Sequence, residues 1–211
     1  MSARCSTWRD KLLSPADISA VIVTRGNVDL TPIIDSLIFD DVVVYDNSVQ
    51  PNEMTYGRVI GARDHAKHPV IYSQDDDIIH TPEDQHRIVA AYQPGVLTGC
   101  MWPEWSGGAR RQGIDNGYDD LVFPGSGSIS DLWLWEDAVD EYLAEWPLDD
   151  FFRLWSDTII GIISPTVQLD IRFGEFPWAD DDNRMAHLEG AVALKTEAIR
   201  RARLIRDGVP A

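Results

Sequence analysis

Three consecutive aspartates, Asp75, Asp76 and Asp77, are the residues of this sequence best suited to chemistry. They closely follow the apolar run Pro69–Ser73, which predicts a buried strand. Side chains at positions i and i+2 of an extended segment point the same way, so Asp75 and Asp77 could share one hard divalent cation while Asp76 faces elsewhere. A cation held there could bind a diphosphate and neutralise the charge that develops as it leaves. We therefore expect Mn²⁺ or Mg²⁺ at Asp75 and Asp77.

Two further strands are predicted to end beside these aspartates. The run Ile18–Thr24 predicts a buried strand, and Asp41–Asp46 predicts a second, whose lack of alternation is typical of a strand covered on both faces. Helical periodicity over Leu30–Leu37 and Tyr56–Ala66 joins the strands into βαβ units. Because ligands of such sheets bind beyond the carboxyl ends of the strands, the loops there should converge. These loops are Thr24–Asn27, Asp46–Ser48 and Asp75–Asp77.

The rest of the chain predicts further helices and short strands. The expected helices are Pro82–Tyr92, Asp131–Trp155 with a break near Pro147, and Asn183–Arg206. The expected strands are Val96–Thr98, Leu121–Phe123 and Thr166–Phe173. The pattern predicts an α/β fold, an open, mostly parallel, twisted sheet flanked by helices, in one domain that spans residues 1–211.

Composition and charge exclude several classes of protein. The chain has 18 basic and 35 acidic residues and a net charge of −17, which argues against coating nucleic acid through bulk charge. Its two cysteines cannot form a disulfide framework or a four-thiolate zinc site. No apolar run approaches the roughly 20 residues of a spanning helix, so we expect no membrane association and a cytoplasmic location. P-loop kinase and serine hydrolase motifs are absent from the sequence.

The order of the motifs resembles the donor half of the GT-A glycosyltransferases with their DxD motif. The segments that carry the resemblance are Thr24-Arg-Gly-Asn27, Asp46-Asn-Ser48, Gly61-Ala-Arg-Asp64 and Gln74-Asp-Asp-Asp77. They are also similar to the small phage and bacterial TET/JBP-associated glycosyltransferases, a group implicated in adding sugars to hydroxymethylated pyrimidines in DNA. The resemblance implies a Rossmann-like nucleotide-sugar-binding half at residues 18–80, an acceptor-side half at residues 95–190 and, for a phage protein, the host cytoplasm.

The resemblance also implies which residues would contact each part of a UDP-sugar. Asp46 would meet the nucleotide base, and Arg63 the ribose or the phosphates. Asp75 and Asp77 would serve the ribose and the metal. The residues expected to bind the nucleotide-sugar are Thr24, Arg25, Asp46, Asn47, Arg63, Asp75 and Asp76. The arginines that could share the phosphate charge are Arg25, Arg58, Arg63, Arg110 and Arg111.

A second carboxylate is expected on the acceptor side. In inverting GT-A enzymes a carboxylate near the start of a helix, after a Gly-rich acceptor loop, removes the proton from the acceptor hydroxyl, and Asp157 follows Gly125–Ser128 in that order. Asp149 and Asp150 are rivals for this role, and a helix-capping or surface aspartate is the alternative for Asp157. The acceptor-side candidates are Trp102, Trp105, Arg110, Arg111 and Ser126.

The sequence does not decide between several acceptors for the sugar. The resemblance favours a hydroxymethylated base in DNA, which would be flipped out of the stack, whereas the charge of −17 favours a glycan or a virion protein. The segment Lys195–Arg206 is the basic strip that could face a polyanion. A sugar nucleotidyltransferase is an alternative, because this class of enzyme also uses a nucleotide-binding sheet with paired carboxylates on Mg²⁺. A noncatalytic binding module is the remaining alternative.

Overall fold

The computed structural model describes residues 13–100, 122–171 and 190–209, and six strands in these ranges form one sheet. The strands are β1 Ile18–Thr24, β2 Asp41–Asp46, β3 Val70–Asp75, β4 Leu97–Cys100, β5 Ser126–Asp131 and β6 Thr166–Leu169. Their order is β2-β1-β3-β5-β4-β6, and β5 alone among them pairs antiparallel to its neighbours. The helices are α1 Thr31–Ser36, α2 Gly57–His65, α3 Pro82–Ala90, α4 Leu132–Glu145, α5 Asp150–Ile163 and α6 Ala191–Arg206. The predicted α/β class, with a mostly parallel sheet flanked by helices, is confirmed.

The sheet separates two apolar cores. On one face, Val21, Val43 and Ile71 pack with residues of α2, α4, α5 and α6. On the other face, Tyr72 and Ile129 pack with residues of α3. None of the helices in the described residues is both long enough and apolar enough to cross a membrane.

Strands β1 and β2 have the predicted bounds but differ in burial. All seven residues of β1 are buried, as its continuous apolar run predicts. In β2 burial alternates, and Val42 and Val44 are only half-buried. Val42 packs against the second core, so β2 is covered on both faces as predicted, but only partly on this one. The physical reason is its position, because β2 is the edge strand of the sheet.

The Gly-Ser stretch after Phe123 forms a strand rather than an acceptor loop. The predicted strand Leu121–Phe123 is wrong for Val122 and Phe123, which lie outside any strand, and Leu121 is outside the described residues. Strand β5 begins at Ser126 instead. The serine hydroxyls are satisfied internally, since Ser126 Oγ donates to the carbonyl of Phe123 (2.8 Å) and Ser128 Oγ to that of Pro124 (3.1 Å). These bonds let Ser126 and Ser128 occupy a buried strand.

The helices after β5 follow the predicted break. Helix α4 ends at Glu145, and α5 begins after Pro147 and continues past Trp155 to Ile163. Strand β6 ends at Leu169, earlier than predicted. Helix α6 accounts for the described part of the predicted terminal helix, while residues 183–189 lie outside the described residues.

A glycine at the start of α2 sets how closely this helix approaches the sheet. A Cβ at Gly57 would collide with the ring of Tyr45 in β2. Tyr45 is buried, and its hydroxyl donates to the carbonyl of Pro51 (3.1 Å). The close contact brings the next residue, Arg58, under the carboxyl end of the sheet, where it is 1% exposed.

Candidate functional site

The loops that follow β1 and β2 meet at the carboxyl end of the sheet. The backbone N–H of Asn47 donates to the carbonyl of Thr24 (2.9 Å). Gly26 has a φ of 74°, and a Cβ there would lie 3.0 Å from Oδ1 of Asp46. The side chain of Thr24 and the backbone N–H of Arg25 both bond the carboxylate of Asp76. The loops of the first three strands therefore converge, as predicted.

The three aspartates do not adopt the extended geometry that the sequence suggested. Strand β3 ends at Asp75, and Asp76 and Asp77 lie in a turn. The i, i+2 argument for a shared cation requires extended backbone, so that part of the prediction is wrong. Asp75 is 40% exposed, and its backbone N–H donates to the carbonyl of Gly125 (2.8 Å). A Cβ at Gly125 would collide with the Asp75 carboxylate, so any other residue there would force that carboxylate to move.

Asp76 turns inward, against the end of β1. Burial raises the pKa of its carboxyl group, and the hydrogen bond from the Thr24 side chain opposes this shift. Its Oδ2 atom is buried and accepts no hydrogen bond from the described residues. Asp77, by contrast, is half-buried in the turn.

Arg58 joins the two carboxylates that the sequence assigned to separate halves of the site. Its guanidinium forms salt bridges with Asp75 Oδ1 and Asp157 Oδ2, the second at 3.4 Å. It also donates to Ser73 Oγ (2.7 Å) and to the carbonyl of Gln74 (3.0 Å). Burial opposes its charge, but Asp157 and then Asp75 raise the pKa of Arg58, so it stays protonated. The guanidinium of Arg58 is therefore buried and bonded to groups of the protein itself. The expectation that Arg58 shares the charge of the phosphates is corrected on this basis.

Asp157 lies in the middle of α5, not near its start. It therefore does not cap the helix. That position belongs to Asp149, whose Oδ1 accepts from the N–H of Phe152 (2.9 Å). Asp150 is 84% exposed and pairs with Arg153 (3.1 Å). The Asp157 side chain is 16% exposed. Burial raises the pKa of Asp157 and the charge of Arg58 opposes the rise.

Sequence reasoning missed Lys195 as a residue of this site. Its Nζ lies 5.3 Å from the ring centroid of Phe123 and 6.0 Å from that of Trp155. Burial lowers its pKa to about 8, although the charges of Asp157 and Asp75 act in the opposite direction. The sequence pattern places Lys195 in the basic strip Lys195–Arg206 instead. We call Arg58, Asp75, Asp157 and Lys195 the ionic cluster.

The structure brings only some of the expected donor residues together. Asp46 accepts from the N–H (2.8 Å) and the hydroxyl (2.6 Å) of Ser48, and these bonds lower its pKa. The side chain of Asn47 bonds the backbone of the following loop. Arg63 is exposed on α2 and pairs with Asp64 (2.7 Å), away from the ionic cluster. Its expected position beside the ribose or phosphates is not supported by these contacts.

The acceptor-side candidates are mostly outside the part of the chain that the structure describes. These are Trp102, Trp105, Arg110 and Arg111. Ser126 is described, but it is buried and its hydroxyl is bonded to Phe123. It therefore offers no surface to an acceptor.

The basic strip on α6 is largely paired with acids. Arg200 and Arg201 both bond Glu197, at 2.7 and 2.9 Å, and Arg206 bonds Asp207 at 3.1 Å. Arg201 also lies 4.2 Å from the ring centroid of Phe151. These pairs reduce the charge that the strip could offer to a polyanion.

The donor atoms at this edge fit a cation that is shared with a ligand rather than enclosed by protein. Among the described residues, no three or more His, Cys, Asp or Glu side chains are grouped to hold a metal ion. Mg²⁺, however, is usually bound by one or two carboxylates together with substrate phosphates and water. Asp75 and Asp77 are partly exposed carboxylates of this kind. They fit Mn²⁺ or Mg²⁺ on that basis.

Comparison with known proteins assigns no family. No family model matches the chain, and a search of curated proteins finds no match either. A partly exposed carboxylate and a largely buried one lie on either side of a single buried guanidinium.

Proposed function

We propose that the protein is a glycosyltransferase that moves a sugar from a nucleotide-sugar, with UDP as the nucleotide, to an acceptor hydroxyl. The observation that carries the proposal is the Asp75–Arg58–Asp157 bridge at the carboxyl end of the sheet. One carboxylate of the bridge lies at the convergent loops, where ligands of such sheets bind. The other lies on α5 and can act as a base. Sugar transfer to a hydroxyl requires both functions at one place.

On the donor side, Asp75 and Asp77 would hold Mn²⁺ or Mg²⁺ together with the diphosphate. The cation supplies positive charge to the diphosphate as it departs. Carboxylates outnumber cations among the described residues at this edge: Asp46, Asp75, Asp76, Asp77 and Asp157 against Arg25, Arg58 and Lys195. This surplus favours binding of a further cation.

On the acceptor side, Asp157 would take the proton of the attacking hydroxyl. Its raised pKa makes it a stronger base than an ordinary aspartate, and its salt bridge with Arg58 favours the ionised form that a base requires. The side chain of Arg58 is only 1% exposed, so its guanidinium is held inside the protein. It therefore fixes the distance between the donor-binding carboxylate and the base.

The resemblance in sequence favours a hydroxymethylated pyrimidine in DNA as the acceptor, with a glycan or a protein side chain as the alternatives. The acid-paired arginines of α6 give little support to binding DNA through the basic strip. The acceptor proposal therefore rests on the sequence motifs rather than on a described surface.

A mass-shift assay tests the proposed function. The protein is incubated with Mn²⁺, a panel of nucleotide-sugars, and hydroxymethylated or plain DNA, glycan or peptide acceptors. We expect one acceptor class to gain the mass of one sugar, with UDP-sugars as donors, and hydroxymethylated but not plain DNA to react. Failure to consume any nucleotide-sugar would contradict the proposal. Release of pyrophosphate from a nucleoside triphosphate and a sugar phosphate would instead identify a nucleotidyltransferase.

A further inference from the structure

Thr55 lies against the turn of α5 that carries Asp157. Its Oγ1 atom is 2.9 Å from the carbonyl oxygen of Arg153 and 3.1 Å from that of Leu154. It is also 2.9 Å from Oγ of Ser156. One hydroxyl therefore contacts α5 at three points just before Asp157, although Thr55 and Arg153 are 98 positions apart in the chain.

Ser156 connects this hydroxyl to the proposed base. Its side chain is buried, and its Oγ donates to Oδ1 of Asp157 over 3.4 Å, a long hydrogen bond. A hydroxyl has one proton and two acceptor sites, so Ser156 can accept from Thr55 while it donates to the carboxylate. Hydrogen bonds in such a series strengthen one another where water is excluded. We call Thr55, Ser156 and Asp157 the hydroxyl chain.

The two carboxylate oxygens of Asp157 are engaged by different partners. Oδ2 pairs with the guanidinium of Arg58 at 3.4 Å, and Oδ1 accepts from Ser156. A contact to one oxygen leaves a carboxylate able to turn about its Cβ–Cγ bond, whereas contacts to both oxygens fix its plane. Burial raises the pKa of Asp157, and the charge of Arg58 and then the side chain of Thr55 lower it. Both partners therefore favour the ionised form that a base requires.

The segment that precedes Thr55 is itself held in place. The side chain of Asn47 accepts from the N–H of Glu53 (2.9 Å) and donates to the carbonyl of Met54 (3.2 Å). Glu53 also forms a salt bridge with Arg153 of α5 at 2.6 Å. Met54 has a φ of 53°, a left-handed conformation that is costly for a residue other than glycine. Such a conformation persists only where the surroundings determine it, so the segment presents Thr55 to α5 in one fixed position.

We propose that Thr55 and Ser156 are positioning residues, which hold the Asp157 carboxylate in the orientation that takes the proton of the acceptor hydroxyl. This inference rests on the proposed function and adds two residues to it. In the transfer, the bond from the anomeric carbon to the diphosphate oxygen breaks with its electron pair on the diphosphate. The acceptor oxygen forms the new bond to that carbon, and its proton goes to Asp157. Thr55 and Ser156 keep their own protons and act through Asp157.

Steady-state sugar transfer, with the UDP-sugar and the acceptor that react in the mass-shift assay, tests the inference. In Thr55→Val, which keeps the shape but not the hydroxyl, we expect kcat to fall at least about tenfold, because a displacement of about 1 Å at a reacting group can cost about 10²-fold. The Kd for UDP, titrated at one fixed Mn²⁺ concentration, should stay the same, since the proposed role concerns the base and not the donor. Thr55→Ser keeps the hydroxyl and should recover most of kcat.

Thr31→Val is the matched control for this result. Thr31 is exposed at the start of α1, and its hydroxyl bonds the exposed carboxylate of Asp29. The variant therefore removes the same kind of bond from an aspartate outside the site. Its kcat should equal that of the wild type.

A double-mutant cycle separates positioning from a structural role. If Thr55 acts through the carboxylate, adding Thr55→Val to Asp157→Asn should lower the residual kcat by less than about twofold, because residues that act as a unit are not additive. A general loosening of α5 would lower kcat by the same factor in both backgrounds. Ser156→Ala should lower kcat as Thr55→Val does, and it keeps the inference testable if Thr55→Val does not fold.

Three outcomes decide the matter. Wild-type kcat in both Thr55→Val and Ser156→Ala would overturn the positioning role and leave the proposed function standing. An equal loss from Thr55→Val with and without the Asp157 carboxylate would do the same. A wild-type protein that transfers no sugar would overturn both this inference and the proposed function.

Discussion

Replacing Asp157 by asparagine should lower kcat by about 10²–10⁴-fold while leaving the affinity for UDP unchanged, because removal of a general base costs about this factor. Asparagine has the same shape but cannot accept the proton of the acceptor hydroxyl. The change also removes a negative charge beside Arg58, so thermal unfolding must be recorded for the variant. Steady-state sugar transfer and UDP titration together check the prediction.

Asp150→Asn provides the control for this result. Asp150 is on the same helix, is 84% exposed and, within the described part of the chain, pairs with Arg153. Its substitution should leave kcat unchanged. In the wild type, activity should fall as the pH is lowered through the raised pKa of Asp157, since the base works only when ionised. An Asp157→Asn protein with wild-type kcat would contradict the assignment.

Replacing Arg58 by methionine should destabilise the fold by about 3–5 kcal/mol, the usual cost of removing one partner from a buried ion pair. The substitution leaves Asp75 and Asp157 without the guanidinium that bridges them, and Ser73 Oγ without the guanidinium donor. Denaturant unfolding of wild type and variant measures the difference.

Two further variants make the Arg58 result specific. Arg58→Lys keeps the charge but not the planar fork that reaches two carboxylates, so it should retain more stability and still lose activity. Arg63→Met, on the same helix, removes an arginine that is 49% exposed and should cost less than about 1 kcal/mol. Similar losses for Arg58→Met and Arg63→Met would show that the buried bridge does not stabilise the protein.

The order of elements and the position of the site could be predicted from sequence because local patterns determine them. Strands β1 and β2 begin and end at the predicted residues, since a β-branched apolar run bounded by polar turn residues has few alternatives. The convergence of the loops at Thr24, Asp46 and Asp76 followed from parallel topology.

The parts that sequence did not predict depend on distant contacts. The Gly-Ser stretch at Ser126 forms a strand because β3 and β4 supply partners on both sides, which no local pattern indicates. The burial of Arg58 requires α2 to approach Tyr45 closely, and the sequence signals of this are Gly57 and Gly61, which both lie against Tyr45. Lys195 reaches the site through the packing of α6 on α5. Because Lys195 is one of several basic residues in its segment, the sequence gives no sign that this lysine lies at the site.

A crystal structure of the protein with UDP and Mn²⁺, with data collected at a wavelength where manganese scatters anomalously, would locate the donor and the metal together. We expect one manganese peak bound to Asp75 or Asp77 and to the diphosphate. UDP bound elsewhere on the protein, or a crystal with neither UDP nor manganese at these aspartates, would contradict this expectation.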